Sequence, residues 1–312
     1  MLRVAILLSF VLAATSLRDS SARVPQSSKP APVPSVQIEM RNVNLHVDDG
    51  IVLVVRRLRG RMESRTPGRP PIFDDGRSYV MNVEQGEMSI GMRSLERLLN
   101  AHVFAYRGAP LEDIQVRPTG DGRLEQKAKL HKGITVPVSM KASVSATPDG
   151  QLRMHVESMK TAGVPARGLL KLFGLELDDV VNLEKGRGVT VRDDDLLISV
   201  GQILPPPEIR GRLSSAVVRG DELVEVFGDQ RKLPELTKPD PRARNYIYFH
   251  GSDIRFGKLT MSDTDLQLID ADPRDPFDFF PARYKAQLVA GYSKNTPAGG
   301  LKTYMPDFGD LK

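Results

Sequence analysis

Residues 134–146 read Ile134-Thr-Val-Pro-Val-Ser-Met-Lys-Ala-Ser-Val-Ser-Ala146; every even-numbered position is apolar and every odd-numbered one is Ser, Thr, Lys or Pro. A period of two sends alternate side chains to opposite faces of a strand, so the stretch predicts a strand with one face buried and one in water. The turn Thr147-Pro-Asp-Gly150 follows, and Leu152, Met154 and Val156 resume the alternation. The two runs therefore make a long antiparallel hairpin with Val136, Val138 and Met140 on its buried face. Pro137 falls on the outward face and predicts an edge position or a bulge, because proline has no N–H to offer a second neighbour.

The same unit recurs on both sides of this hairpin. Val43 to Val47 turns at Asp48-Asp-Gly50 into Ile51 to Val55, Val189-Thr-Val191 turns at Asp193-Asp-Asp195 into Leu196 to Val200, and Ala216 to Val218 turns at Gly220-Asp221 into Leu223 to Val226. These are up-and-down hairpins, without the regular strand and helix alternation of a parallel sheet and without a strict repeat. The expected fold class is mainly β with few short helices (α+β). One helix is expected where Met92, Leu95, Leu98, Leu99 and Val103 share a stripe. A second should start near Pro165, run through Leu169, Leu170, Leu172 and Phe173, and stop at Gly174. Either these helices plug the ends of a β core, or one of them lines or gates an apolar cavity.

Composition agrees with a protein of many turns. The 312 residues include 26 Gly and 23 Pro but no Trp, so punctuation is plentiful and aromatic surface scarce. There is no Cys, which excludes disulfides, thiolate metal sites and Cys nucleophiles together. A formal charge of +5 invites a nucleic-acid reading, but residues 1–16 contribute +1 and residues 17–35 contribute +2, leaving +2 for the rest. A body of that charge, poor in stacking aromatics, is no general nucleic-acid binder. Charge is segregated locally: Arg56, Arg57, Arg59, Arg61, Arg65 and Arg69 share their stretch with Glu63 alone, while Asp263, Asp265, Asp270, Asp272, Asp275 and Asp278 share theirs with Arg274 alone. These are either solvated faces or docking surfaces, Arg56, Arg57, Arg59 and Arg61 being the candidates for contact with a membrane surface.

Arg3 precedes the apolar run 4–14, with Ala14 and Ser16 at the positions of a cleavage site. Residues 1–16 are thus expected to be a signal peptide of an exported, periplasmic or extracellular protein, with an uncleaved anchor as the alternative. Residues 17–35, rich in Ser and Pro, read as a tether. The β domain is expected over 36–231 and a proline-rich linker over 232–244. In the segment 245–312, Tyr246 to Phe249 and Leu266 to Ile269 are strand-like, whereas Pro273, Pro276 and Pro281 predict an irregular lid or tail anchored by Phe277, Phe279, Phe280 and Tyr284.

No arrangement of residues names a reaction. His46, His102, His131, His155 and His250 stand in no local Ser or carboxylate setting, and no spacing suggests zinc or a phosphate cradle. The best-placed metal ligands are Asp270, Asp272 and Asp275, since closely spaced carboxylates suit calcium, but the loop has no central Gly and Pro281 stands where a closing Glu would be needed. The expectation is a solvated acidic loop, with no metal, no cofactor and no catalytic residue.

The alternating hairpins, the segment Val164-Pro-Ala-Arg-Gly-Leu-Leu-Lys-Leu-Phe-Gly174, and the hairpin from Leu204-Pro-Pro-Pro-Glu-Ile-Arg-Gly-Arg-Leu213 to Val217-Val-Arg-Gly-Asp-Glu-Leu223 resemble bacterial exported proteins of the tubular lipid-binding (TULIP-like) class, over roughly residues 36–227. The resemblance implies a highly curved sheet or open barrel around a helix, leaving an apolar groove for acyl chains, and hence lipid binding or transfer without covalent chemistry. Leu169, Leu170, Leu172, Phe173, Met140 and Met154 are the expected groove residues, the Met side chains being flexible enough for an adaptable lining. Two other classes stay open: a structural cell-envelope protein with a filled β core, and a hydrolase whose Ser and His converge from distant hairpins.

Overall fold

Ser35–Asp48 (β1) and Ile51–Ser64 (β2) pair antiparallel across the turn at Asp48, Asp49 and Gly50, where Gly50 takes a φ of +71° that favours a residue without a β-carbon. Tyr79–Gly91 (β3) adds to β2 with two register shifts and runs straight into the helix Met92–Leu98 (α1), which widens to a π turn at Leu99–Val103. The stripe expected on this helix does face the core: Met92, Leu98 and Val103 are buried, with Leu95 and Leu99 packed beside them. The computed structural model describes residues 35–311 apart from 110, 133, 162–163, 166–187, 230 and 232.

Leu111–Thr119 (β4), Arg123–Lys132 (β5), Ile134–Ala146 (β6) and Leu152–Thr161 (β7) form an antiparallel meander. In it Val138 lies between Ala128 and Thr161, and Met140 between Gln126 and Met159, the register the alternation predicts. Pro137 is not on an edge strand, because β6 runs between β5 and β7. The proline is tolerated since the pairing of β6 with β7 begins only at Val138, so at Pro137 the strand has a ladder partner on the β5 side alone. Val164–Pro165 (β8) folds back on β7 as a strand, against the helix start expected there. The predicted helical residues Leu169, Leu170, Leu172 and Phe173 lie outside the described residues. Val189–Arg192 (β9) and Asp195–Ile198 (β10) then extend the sheet beyond β7.

A short helix, Val200–Ile203 (α2), leads to Glu208–Gly211 (β11), parallel to one half of β3. The hairpin of Leu213–Arg219 (β12) and Glu222–Phe227 (β13) then docks on the other half of β3. Tyr246–His250 (β14) closes on the free side of β1. Ile254–Phe256 (β15) and Leu259–Met261 (β16) make a separate ribbon, and Asp265–Asp270 (β17) pairs with β14. Phe277–Phe279 (β18), Tyr284–Ala290 (α3), Tyr292–Asn295 (β19) and Leu301–Met305 (β20) complete the chain.

The described strands fall into three sheets, none closed, so the protein is mainly β with few short helices. The largest runs β12-β13-β3-β2-β1-β14-β17-β20-β19, and the second runs β4-β5-β6-β7-β10-β9. The C-terminal prolines do not prevent regular structure: Phe277 and Phe279, both fully buried, lie parallel to Val43 and Leu45 of β1, and Pro281 opens the 3₁₀ turn Pro281–Arg283 that leads into α3, a first-turn position where proline costs no hydrogen bond. Phe73 gathers Phe256, Tyr284 and Phe249 at ring distances of 4.9, 5.4 and 5.5 Å, filling that end of the core with aromatic edges and faces.

Candidate functional site

The two larger sheets face each other across an apolar interior, and the contacts that hold them there are specific. Asn100, in the π turn, donates to Ile114 O at 2.7 Å and accepts from Ile114 N at 3.0 Å, while Glu96 Oε1 accepts from Val116 N at 2.7 Å. These bonds satisfy the backbone of β4 at the register shift where pairing with β5 is interrupted, and they tie α1 to the second sheet. On another side, Leu213 N donates to Gly150 O at 3.0 Å, joining the start of β12 to the β6–β7 turn.

Between these ties the faces do not close completely, and a cavity of about 130 Å³ remains. The large sheet contributes Leu53, Met88, Ile90, Leu223, Glu225 and Phe227. The second sheet contributes Leu124, Gln126, Val138, Met140, Met154 and Met159. Leu95, Leu98 and Val103 wall one side, Val200, Ile203 and Ile209 another. Met140 and Met154, expected to line a groove, do line this cavity. A largely apolar cavity of roughly this size can hold a small apolar molecule or a segment of a longer chain.

Sequence reasoning missed Glu225. Its side chain is almost fully buried and has no hydrogen-bond or ion-pair partner among the described residues. Burial alone pushes its carboxyl up to about 7, because nothing stabilises the charged form. One signal was available: Glu225 has the parity of Leu223 and Phe227, so the alternation that buries those two also turns Glu225 inward.

The other sequence candidates divide differently. Asp270 and Asp275 converge as expected, yet their third neighbour is Asp307, with ligand oxygens of the three within 4.8 Å of one another. Asp272 turns away and holds Arg274, Oδ1 to Nε at 2.7 Å. Desolvation, reinforced by Asp270, Asp275 and Asp278, pushes Asp307 up to about 7 in spite of the bond it accepts from Asp278 N. Such a trio could hold a hard cation, although Asp270 already accepts from Asn245 Nδ2 at 3.0 Å and from Asp272 N at 2.8 Å.

The Arg stripe on β2 is paired across the sheet with carboxylates of β3 that a local count overlooks. Arg61 lies 2.8 Å from Glu84 and Arg57 3.5 Å from Glu87, while Arg56 lies 3.9 Å from Glu222 of β13. Carboxylates also reach four of the histidines: His46 meets Asp278 at 2.5 Å, His102 meets Asp48 at 2.8 Å, His131 meets Glu112 at 2.9 Å and His155 meets Asp195 at 2.7 Å. His131 also meets a hydroxyl, Thr135 Oγ1 at 2.7 Å. Glu112, His131 and Thr135 stand on outward strand faces and none of them lines the cavity.

Among the described residues no helix is long and apolar enough to cross a membrane. No family model, no curated protein and no solved structure matches the chain.

Proposed function

We propose that the protein is an exported carrier of apolar ligands, holding an acyl chain or a similar hydrocarbon body between its two larger sheets without covalent chemistry. The observation that carries this reading is the cavity itself, whose wall is built from the inward faces of both sheets and includes the adaptable side chains of Met88, Met140, Met154 and Met159. In the architecture of tubular lipid-binding domains, which the sequence resembles, a helix against a curved sheet would bound such a space, and α1, whose leucines line the cavity, is the helix this reading assigns to that part. Arg56, Arg57, Arg59 and Arg61 form the surface assigned to membrane headgroups, with Glu84, Glu87 and Glu222 reducing its net charge.

Gently purified full-length protein should carry lipid in native mass spectrometry, and it should take up the apolar fluorophore N-phenylnaphthylamine. Val138→Trp should fill the cavity and reduce that uptake while the protein stays folded. A wild-type protein that carries no lipid and binds no fluorophore would leave the filled structural core as the better reading.

A further inference from the structure

Glu225 needs an explanation that the carrier reading alone does not supply. A carboxyl this buried, with no partner among the described residues, gives up hydrogen bonds with water that folding does not replace. Among the described residues no side chain relieves the loss. Its neighbours in register are Ala216 on β12 and Met88 on β3. The cavity around it is lined by leucines from α1, by Val200, Ile203 and Ile209 from α2 and β11, by the hydroxyl-bearing Ser89 from β3, and, among the described residues of the second sheet, by one polar side chain, Gln126, which stands between the apolar Val116 and Met140 in register. Among the described residues no other titratable or charged group of these elements lines the cavity.

We infer that Glu225 is the polar anchor of the cavity, its neutral carboxyl donating a hydrogen bond to a carbonyl or hydroxyl oxygen of an uncharged lipid such as a monoacylglycerol. The inference rests on the carrier reading and specifies its ligand. A fatty-acid carboxylate is disfavoured, since the described residues of the wall include no cation and Glu225 would add a like charge. A long-chain amine is disfavoured because the desolvation of an ammonium is scarcely recovered by a single buried carboxylate. A neutral donor meeting a neutral acceptor carries neither cost, and Gln126 offers a second hydrogen-bonding group from the opposite wall.

Binding should therefore weaken as Glu225 ionises, and it should do so through this residue alone. The test uses the full chain with N-phenylnaphthylamine as reporter and monolauroylglycerol, laurylamine and lauric acid as competitors, at about pH 5.5 and about pH 8.5. Monolauroylglycerol should displace the reporter about tenfold more effectively at the lower pH. Glu225→Gln, which keeps a donor and cannot ionise, should remove that difference, and Glu225→Leu should bind monolauroylglycerol weakly at both. Thermal melts on each protein separate loss of binding from loss of fold, and the wild-type comparison needs no variant. Equal displacement at both pH values, the same pH dependence in Glu225→Gln, or stronger displacement by laurylamine or lauric acid would overturn the anchor while leaving the carrier reading intact, because the reporter still binds. Failure of the reporter to bind wild type at either pH would remove the carrier reading and the anchor with it.

Discussion

His46 Nε2 lies 2.5 Å from Asp278 Oδ1, a contact between residues 232 positions apart that pins the C-terminal segment to the first hairpin. The same carboxylate accepts from Gly309 N at 3.0 Å, and the His46 ring stacks on Phe280 at 5.3 Å. Asp278→Ala should thus free both a ring nitrogen and a backbone N–H in a partly buried place, at a cost of about 1–3 kcal/mol. Urea denaturation checks this, and an unchanged midpoint would show that the segment is held by its phenylalanines alone.

The faces of β6 predict a sharp asymmetry. Val138→Asp places a carboxylate without a partner in the cavity wall and should cost several kcal/mol, whereas Ser139→Asp, on the opposite face, should cost little. Comparable losses in thermal melts at the two positions would refute the register.

Asn100→Ala removes three hydrogen bonds at once, two to Ile114 and one to Glu96 O, and leaves the interrupted edge of β4 unsatisfied. A loss of about 2–3 kcal/mol is expected, measured by denaturant titration. Faster amide exchange should appear first at Ile114, whose N–H loses its acceptor; an exchange pattern unchanged there would argue against the tie.

Glu225 makes stability depend on pH with a definite sign. A carboxyl raised by burial to about 7 binds a proton more tightly folded than unfolded, so its contribution is complete at low pH and is lost as pH rises through about 7. From the ordinary carboxylate range to about 7 this amounts to about 3 kcal/mol. Glu225→Gln should therefore be more stable than wild type by up to that amount at about pH 8 and nearly equal to it at about pH 4. Parallel stability curves for the two proteins would show that the carboxyl is hydrated.

Asp307 should behave in the same sense for a partly different cause, its burial being reinforced by three neighbouring aspartates. Asp307→Asn keeps an oxygen for Asp278 N and removes the repulsion, so its melting temperature should exceed that of wild type at about pH 8 and converge with it at about pH 4. A melting temperature that falls at both pH values would mean that the charge itself is needed.

Alternation made the β6–β7 hairpin and the neighbouring β1–β2 and β12–β13 hairpins legible, because each lies beside its partner in sequence and buries one face. It could not show β3. That strand is crossed by two register shifts and has buried residues on both faces near its ends, Tyr79, Val80 and Met81 at one and Ser89 and Ile90 at the other, so no simple period survives. The prolines concealed β18 and α3, since proline restricts its own position and its predecessor but leaves the three residues 277–279 free to pair. In the site, Met140 and Met154 were readable as inward positions. Glu225 was not, because a charged side chain in a strand is ordinarily taken as outward, and the carboxylates that meet the arginines and histidines come from strands remote in sequence.

β1 ends up as an inner strand, yet its second neighbour is supplied very late: Glu39 on β1 meets Tyr246 on β14, 207 residues further along the chain. During synthesis the N-terminal hairpin can form as soon as β2 is made, but it must then wait with one row of amides and carbonyls unpaired and with Val36, Ile38 and Met40 uncovered. Contacts of such long range make for slow acquisition of the native state, and an open apolar edge recruits other chains while it waits. The molecule is thus one whose last fifth decides whether its first strand is sheltered, so nascent chains halted before residue 246 should be the species most in need of a chaperone.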